Sequence, residues 1–189
     1  MHNLKPITAL GGTTARIDDF DGLRISECPD WAYASLAFRL RQEEAAAAAA
    51  KQFIGADLPD VARCLKKEPF SVFWMGPHQW MIEAPHATHE LLESEVKKAV
   101  GETASVTEQT DAWTRFDLEG KHCHDVLEIQ CNADTRMMEE GYATRTLIGG
   151  HIGAFLICRK KDTHFSIIGP RSSAGSLYGS LVTAARSAI

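Results

Sequence analysis

Phe70-Ser71-Val72-Phe73-Trp74-Met75-Gly76-Pro77-His78-Gln79-Trp80-Met81-Ile82-Glu83 sets two runs of aromatic and β-favouring residues on either side of a Gly-Pro pair. Glycine can take a positive φ, and proline fixes its own φ and gives no donor to a ladder. The segment therefore predicts strand, tight turn, strand, with Gly76 able to take a positive φ. Val72, Trp74, Trp80 and Ile82 share a parity across the turn, so one face carries two indoles. An isolated hairpin is unstable in water, and the rest of the chain must cover this one as core. Its ionisable groups are His78 and Glu83.

Outward from the hairpin the pattern alternates strands and helices. Residues 1–22, rich in Thr, Gly and Asp around Gly11-Gly12-Thr13-Thr14, read as an irregular arm, loose or docked. Leu23–Cys28 alternates like a strand, and Trp31–Leu40 holds a second. Gln42–Ile54 is a helix whose six alanines, Ala45–Ala50, allow close approach to a neighbouring surface, with Gly55 after its end. Residues 56–69 read as a linker with Pro59, Pro69 and the Lys66-Lys67 pair. Thr88–Val100 predicts a helix with Leu92, Val96, Ala99 and Val100 on one face, a Glu93–Lys97 pair at i,i+4, and Gly101 as its stop. Ala104–Gln109 is a short strand.

A second unit starts at Trp113 with an alternating strand closed by Gly120, then a helix over Lys121–Cys131 and a polar loop over Asn132–Gly141. Three strands follow, Ala143–Ile148, Ile152–Arg159 and Phe165–Ile168, with turns at Gly149-Gly150 and Lys160-Lys161-Asp162. Ser172–Ala188 is the last helix, with Leu177, Leu181, Ala184, Ala185 and Ala188 toward the core. The expected architecture is α+β: two ferredoxin-like α/β units with mostly antiparallel sheets covered by helices. The expected division is an arm at 1–22, a first unit at 23–112 and a second at 113–189, the halves echoing each other loosely without a sequence repeat.

The bulk properties exclude several roles. The 189 residues, 44% apolar, carry a net charge of −5, with a pI near 5.9. That balance disfavours nucleic-acid binding, which uses clustered Lys and Arg. No apolar run reaches the ~20 residues of a membrane span, and the start lacks the apolar core of a signal peptide, so a cytoplasmic location is expected. Five cysteines, Cys28, Cys64, Cys123, Cys131 and Cys158, form no C-x-x-C pair and read as reduced, buried small hydrophobes.

The search for chemistry yields candidates without convergence. His122-Cys123-His124 are neighbours on a helix, where side chains diverge by about 100°, so they do not share a metal. His86 and His89 lack a placed third ligand. Gly169-Pro170-Arg171-Ser172-Ser173-Ala174-Gly175-Ser176 has amides and a guanidinium suited to an anion, or else simply Ser172 or Ser173 capping a helix. Asp111, Asp117, Asp134 and Glu139-Glu140 show no acid–base spacing, and no Ser or Cys sits in a nucleophile motif. Arg136, Met137 and Met138 are a candidate contact patch. No catalytic, cofactor-binding or metal residue is assigned.

Four stretches, Leu4–Gly12, Gly76-Pro77-His78-Gln79-Trp80, Ser105–Asp111 and Gly169–Leu177, in this order, resemble the gamma subunit of heterotetrameric sarcosine oxidase over nearly the whole chain. More distantly, Trp113–Ile168, with Asn132-Ala133-Asp134 and Gly141–Thr146, is similar to the folate-binding fold of glycine-cleavage T-protein, so the two units form one compact T-protein-like domain. The resemblance implies oxidative demethylation of sarcosine to glycine by a complex. In it an alpha subunit carries NAD and tetrahydrofolate sites and a beta subunit carries FAD. FMN lies between them, a delta subunit completes the assembly, and the gamma subunit holds no cofactor and no catalytic site. Two alternatives stand beside it. One is a folate-dependent aminomethyltransferase acting alone, though the chain is shorter than a full T-protein and lacks its C-terminal barrel. The other is the matching subunit of a complex that oxidises N-methylglutamate.

Overall fold

In the computed structural model, which describes residues 5–189, the hairpin is β5 (Phe70–Gly76) and β6 (Gln79–Pro85), with Val72 opposite Ile82 and Trp74 opposite Trp80. Its reversal falls just after the Gly-Pro pair. The residue with positive φ is His78, at 58°, and Gly76 is not left-handed. Pro77 is fixed near −65°, so the chain must reverse at the residue after it. The His78 carbonyl accepts the Phe38 amide at 3.0 Å, which ties the tip to the neighbouring strand.

The hairpin lies inside a unit made of residues 30–111 and 141–144. Its sheet runs β4-β5-β6-β3-β7, adding β3 (Trp31–Phe38), β4 (Cys64–Lys67) and β7 (Ala104–Glu108), all antiparallel. Helices α1 (Glu43–Ile54) and α2 (Leu92–Val100) cover one face. Ala46, Ala50 and Ile54 of α1, and Leu92, Val96 and Val100 of α2, join Ala34, Leu36, Val72 and Ile82 in one core. Gly55 is left-handed at 80° and its amide reaches Lys51 O at 2.8 Å.

Three expectations here are corrected. The linker at 56–69 contains β4, an edge strand whose two lysines hide its strand character. The helix expected from Thr88 begins at Leu92, and Ala99 faces solvent. Lys97 does not pair with Glu93; its ammonium donates to Gly101 O at 2.7 Å and to Glu102 Oε1 at 3.3 Å, because the carbonyls left open at the helix end offer charge-assisted bonds.

Residues 1–29, 112–140 and 145–189 make the other unit, of which 5 onward are described. Its sheet order is β1-β2-β8-β11-β10-β9, with β1 (Ile17–Phe20), β2 (Leu23–Glu27), β8 (Trp113–Gly120), β9 (Ala143–Ile148), β10 (Ile152–Lys160) and β11 (His164–Pro170). Helices α3 (Cys123–Gln130) and α4 (Ala174–Ala188) pack on it, with Tyr178 against Phe116 at 5.1 Å and His124 against Phe165 at 5.4 Å. Gly120 allows the closest approach: a Cβ there would lie 2.2 Å from Gly22 O.

The division at 23–112 is corrected by this topology. Leu23–Glu27 pairs with β8, Ile25 opposite Leu118, and so belongs to the second sheet. The arm expected at 1–22 holds β1 and a docked turn; its residues 1–4 lie outside those described. Glu27, 3% exposed, accepts the Leu10 amide at 3.0 Å and the Arg16 amide at 3.1 Å, and Arg171 donates to Ile7 O at 3.1 Å. The last helix starts at Ala174 after a 3-10 turn over Arg171–Ser173, and Ser173 makes no side-chain cap.

The loose echo between the halves is a strand-for-strand correspondence. β3–α1–β4–β5–β6–α2 and β8–α3–β9–β10–β11–α4 run in the same order, with sheet orders β4-β5-β6-β3 and β9-β10-β11-β8. Each first strand is paired on its other side, β3 by β7 and β8 by β2.

Candidate functional site

A buried polar cluster stands on β8, β10 and β11. Phe116 and Phe165 point to the helices, so the two-residue alternation sends Arg115, Asp117 and Ser166 to the opposite sheet face. Arg115 and Asp117 are 6% and 7% exposed, and Ser166 is fully buried. Arg115 forks onto Asp117 with Nε to Oδ1 and Nη2 to Oδ2, both 2.7 Å. Ser166 Oγ donates to Oδ1 at 2.7 Å, His164 Nε2 to Oδ2 at 3.0 Å, and Arg159 Nε to Ser166 Oγ at 2.9 Å.

Each carboxylate oxygen of Asp117 thus accepts two hydrogen bonds, which fills its acceptor sites. Burial by itself would raise this carboxyl, but the hydrogen bonds from His164 and Arg115, the Arg115 charge and the Ser166 hydroxyl reverse that and hold it well below the usual range. A carboxylate with its acceptor sites filled and ionised at neutral pH is poorly suited to donate a proton or to accept one from a substrate. The cluster balances charge and fixes β8, β10 and β11 in register. Only Asp117 of this set is among the carboxylates singled out by sequence. The available signal was Arg115 and Asp117 two apart on a strand whose alternate residues are apolar, a pattern that ordinarily marks a solvated face.

The other candidates are placed apart. His122 Nδ1 meets Asp125 at 2.7 Å; His124 is buried between Thr135 Oγ1 at 3.0 Å and Asp162 Oδ1 at 3.1 Å; and the Cys123 thiol donates to Leu118 O at 3.4 Å. His89 contacts Thr88 at 2.8 Å and the Phe70 ring at 5.2 Å. Among the described residues no three His, Cys, Asp or Glu groups are placed to hold a metal ion. Burial pushes the thiols of Cys28 and Cys123 up to about 12 and that of Cys158 up to about 11, so they stay protonated and lack the thiolate a nucleophile requires. In the Gly169–Ser176 segment Arg171 is engaged within the chain: its amide goes to Ala112 O at 2.9 Å and its guanidinium donates to Ile7 O at 3.1 Å.

The contact patch at Arg136-Met137-Met138 is split. Met137 is 76% exposed while Met138 is 3% exposed, and the Met138 carbonyl accepts the Cys158 thiol at 3.7 Å. Arg136 is held on the surface by Glu128 at 2.5 Å and Asp125 at 3.4 Å. Asn132 Oδ1 accepts the Thr146 hydroxyl at 3.2 Å, joining the loop after α3 to β9.

Among the described residues, two antiparallel sheets and four α-helices define an α+β fold. Among solved structures, a chain of the heterotetrameric sarcosine oxidase from Corynebacterium sp. U-96, in complex with pyrrole 2-carboxylate, matches with a TM-score of 0.74 and 21% identity, over 87% of this chain and 84% of that one. The glycine cleavage system aminomethyltransferase T from Bartonella henselae matches with a TM-score of 0.58 and 13% identity, over 89% of this chain and 53% of that one. This chain therefore spans about half the length of the aminomethyltransferase. No protein-family model matches the sequence, and no curated protein does. At these identities the likeness is one of fold.

Proposed function

We propose that this chain is a non-catalytic, gamma-type subunit of an oxidase complex of the heterotetrameric sarcosine oxidase kind. In this reading it supports oxidative demethylation of sarcosine to glycine carried out on flavin-bearing alpha and beta partners, with a delta subunit completing the assembly. The observation that carries the reading is the two-sided match: nearly all of this chain corresponds to nearly all of a chain from such an oxidase. The match extends over 84% of that chain, which supports reading this chain as the counterpart of one of its subunits. The saturated Asp117 and the protonated thiols fit a chain whose work is contact. Its five free cysteines, and the absence among the described residues of any helix long and apolar enough to cross a membrane, fit a cytoplasmic complex.

Co-expression with the alpha, beta and delta subunits of its own organism tests this. The expected result is one stoichiometric complex by size exclusion with light scattering, oxidising sarcosine. A chain that elutes alone beside an assembled partner complex would reject it. Higher activity on N-methylglutamate than on sarcosine would move the chain to the related complex, since substrate choice lies in the partners.

The likeness to aminomethyltransferase T supports a second reading, folate-dependent aminomethyl transfer by the chain alone. Ligand present at 100 times its dissociation constant adds about 2.7 kcal/mol of stability. A rise in melting temperature matching that stabilisation with tetrahydrofolate would favour this reading, and an unchanged melting temperature at saturating ligand would reject it.

A further inference from the structure

We infer that the outer face of α3 and the turn after it form the docking surface for a partner protein presenting an apolar pocket rimmed by Lys and Arg. This rests on the subunit reading above. Two apolar side chains stand out there, Met137 at 76% exposure and Ile129 at 55%. Isolated exposed apolar residues are common, and three further features single these out.

The first is rigidity. Met138, next to Met137, is anchored in the core, and Thr135 is buried and bonded to His124 at 3.0 Å. Arg136 is fixed to Glu128 and Asp125 on α3, so the turn and the helix carrying Ile129 form one braced surface. Met137 is thus presented on a prepared support, which lowers the ordering cost of binding.

Charge is the second. Asp125 and Glu128 stand on α3 with Ile129, and Asp134, Glu139 and Glu140 flank Met137 along the chain, while Arg136 is paired to Glu128 and Asp125 and Lys161 to Glu139. The excess is negative and calls for a basic partner rim.

The third is what that charge excludes. Two copies of this chain meeting through this face would set carboxylates against carboxylates, so the occupant is a different chain.

Affinity of the full chain for the assembled alpha–beta partner is the test, by surface binding at 50 and 500 mM salt. Met137→Asp and Ile129→Asp are each expected to weaken binding at least tenfold. The double variant Asp134→Lys, Glu140→Lys should weaken it and flatten its salt dependence. Leu40→Asp, at a site 83% exposed in the other unit, should leave it unchanged. Circular-dichroism melts identify any variant that fails to fold. Peroxide footprinting of the unsubstituted chain gives a second readout, in which Met137 sulfoxide formation should fall severalfold in the complex. A complex that forms with Met137 unprotected, or with folded variants binding normally, overturns the docking surface and leaves the subunit reading standing. No complex with the unsubstituted chain overturns both.

Discussion

Asp117 shows how the meaning of a residue depends on its neighbours. A buried carboxylate is the usual raw material of acid–base catalysis, yet here four donors saturate it. Its ordinary unfolded value is about 3.9. With the native value lowered, the stability it contributes is fully present above about pH 4 and is lost as pH falls from there through the native value. Asp117→Asn is therefore expected to destabilise at pH 7 by about 3 kcal/mol, since the buried Arg115 loses its charged partner. The variant should also lose less stability than the parent on going from pH 5 to pH 3. Urea midpoints across that range check both points, and parallel pH profiles would contradict the assignment. At the hairpin tip, His78 adopts the positive φ that the sequence offered to Gly76, because one residue, Pro77, decides where the turn can reverse.

At the scale of elements, α1 explains its alanine run. Ala46 and Ala50 are at 0% and 1% exposure against the sheet, whereas Ala48 faces solvent. Ala50→Leu should overpack the interface and cost about 1–3 kcal/mol, while Ala48→Leu should stay within about 0.5 kcal/mol, both measured by denaturant unfolding. Equal costs would mean that close approach is not what the alanines provide. β4, like β1, was missed by sequence patterning; in β4 the reason is that an edge strand carries lysines for solubility and so reads like a linker. Without it the shared course of the two halves could not be counted out.

The whole molecule is organised as two units of one topology, and the second completes its sheet with strands from the start of the chain. Glu27 fastens that start by accepting the Leu10 and Arg16 amides. Glu27→Ala is expected to release the segment near residues 7–16, raising its limited-proteolysis rate at least tenfold while β8–β11 remain resistant; unchanged cleavage would mean that the arm is held by other contacts.

Residues and their spacing determined the α+β class, the four helices, the central hairpin and its paired indoles, because hydrophobic period, alanine content and Gly-Pro punctuation act over a few residues. The likeness to the sarcosine oxidase and T-protein folds was legible too, as an order of short motifs. Tertiary structure alone decided that Leu23–Glu27 joins β8, that Arg115, Asp117, His164 and Ser166 form one network, and that Met137 is presented while Met138 is buried. Those outcomes depend on pairing between residues up to about a hundred positions apart, and on which side of an alternating strand is covered, and neither is encoded in any local window of sequence.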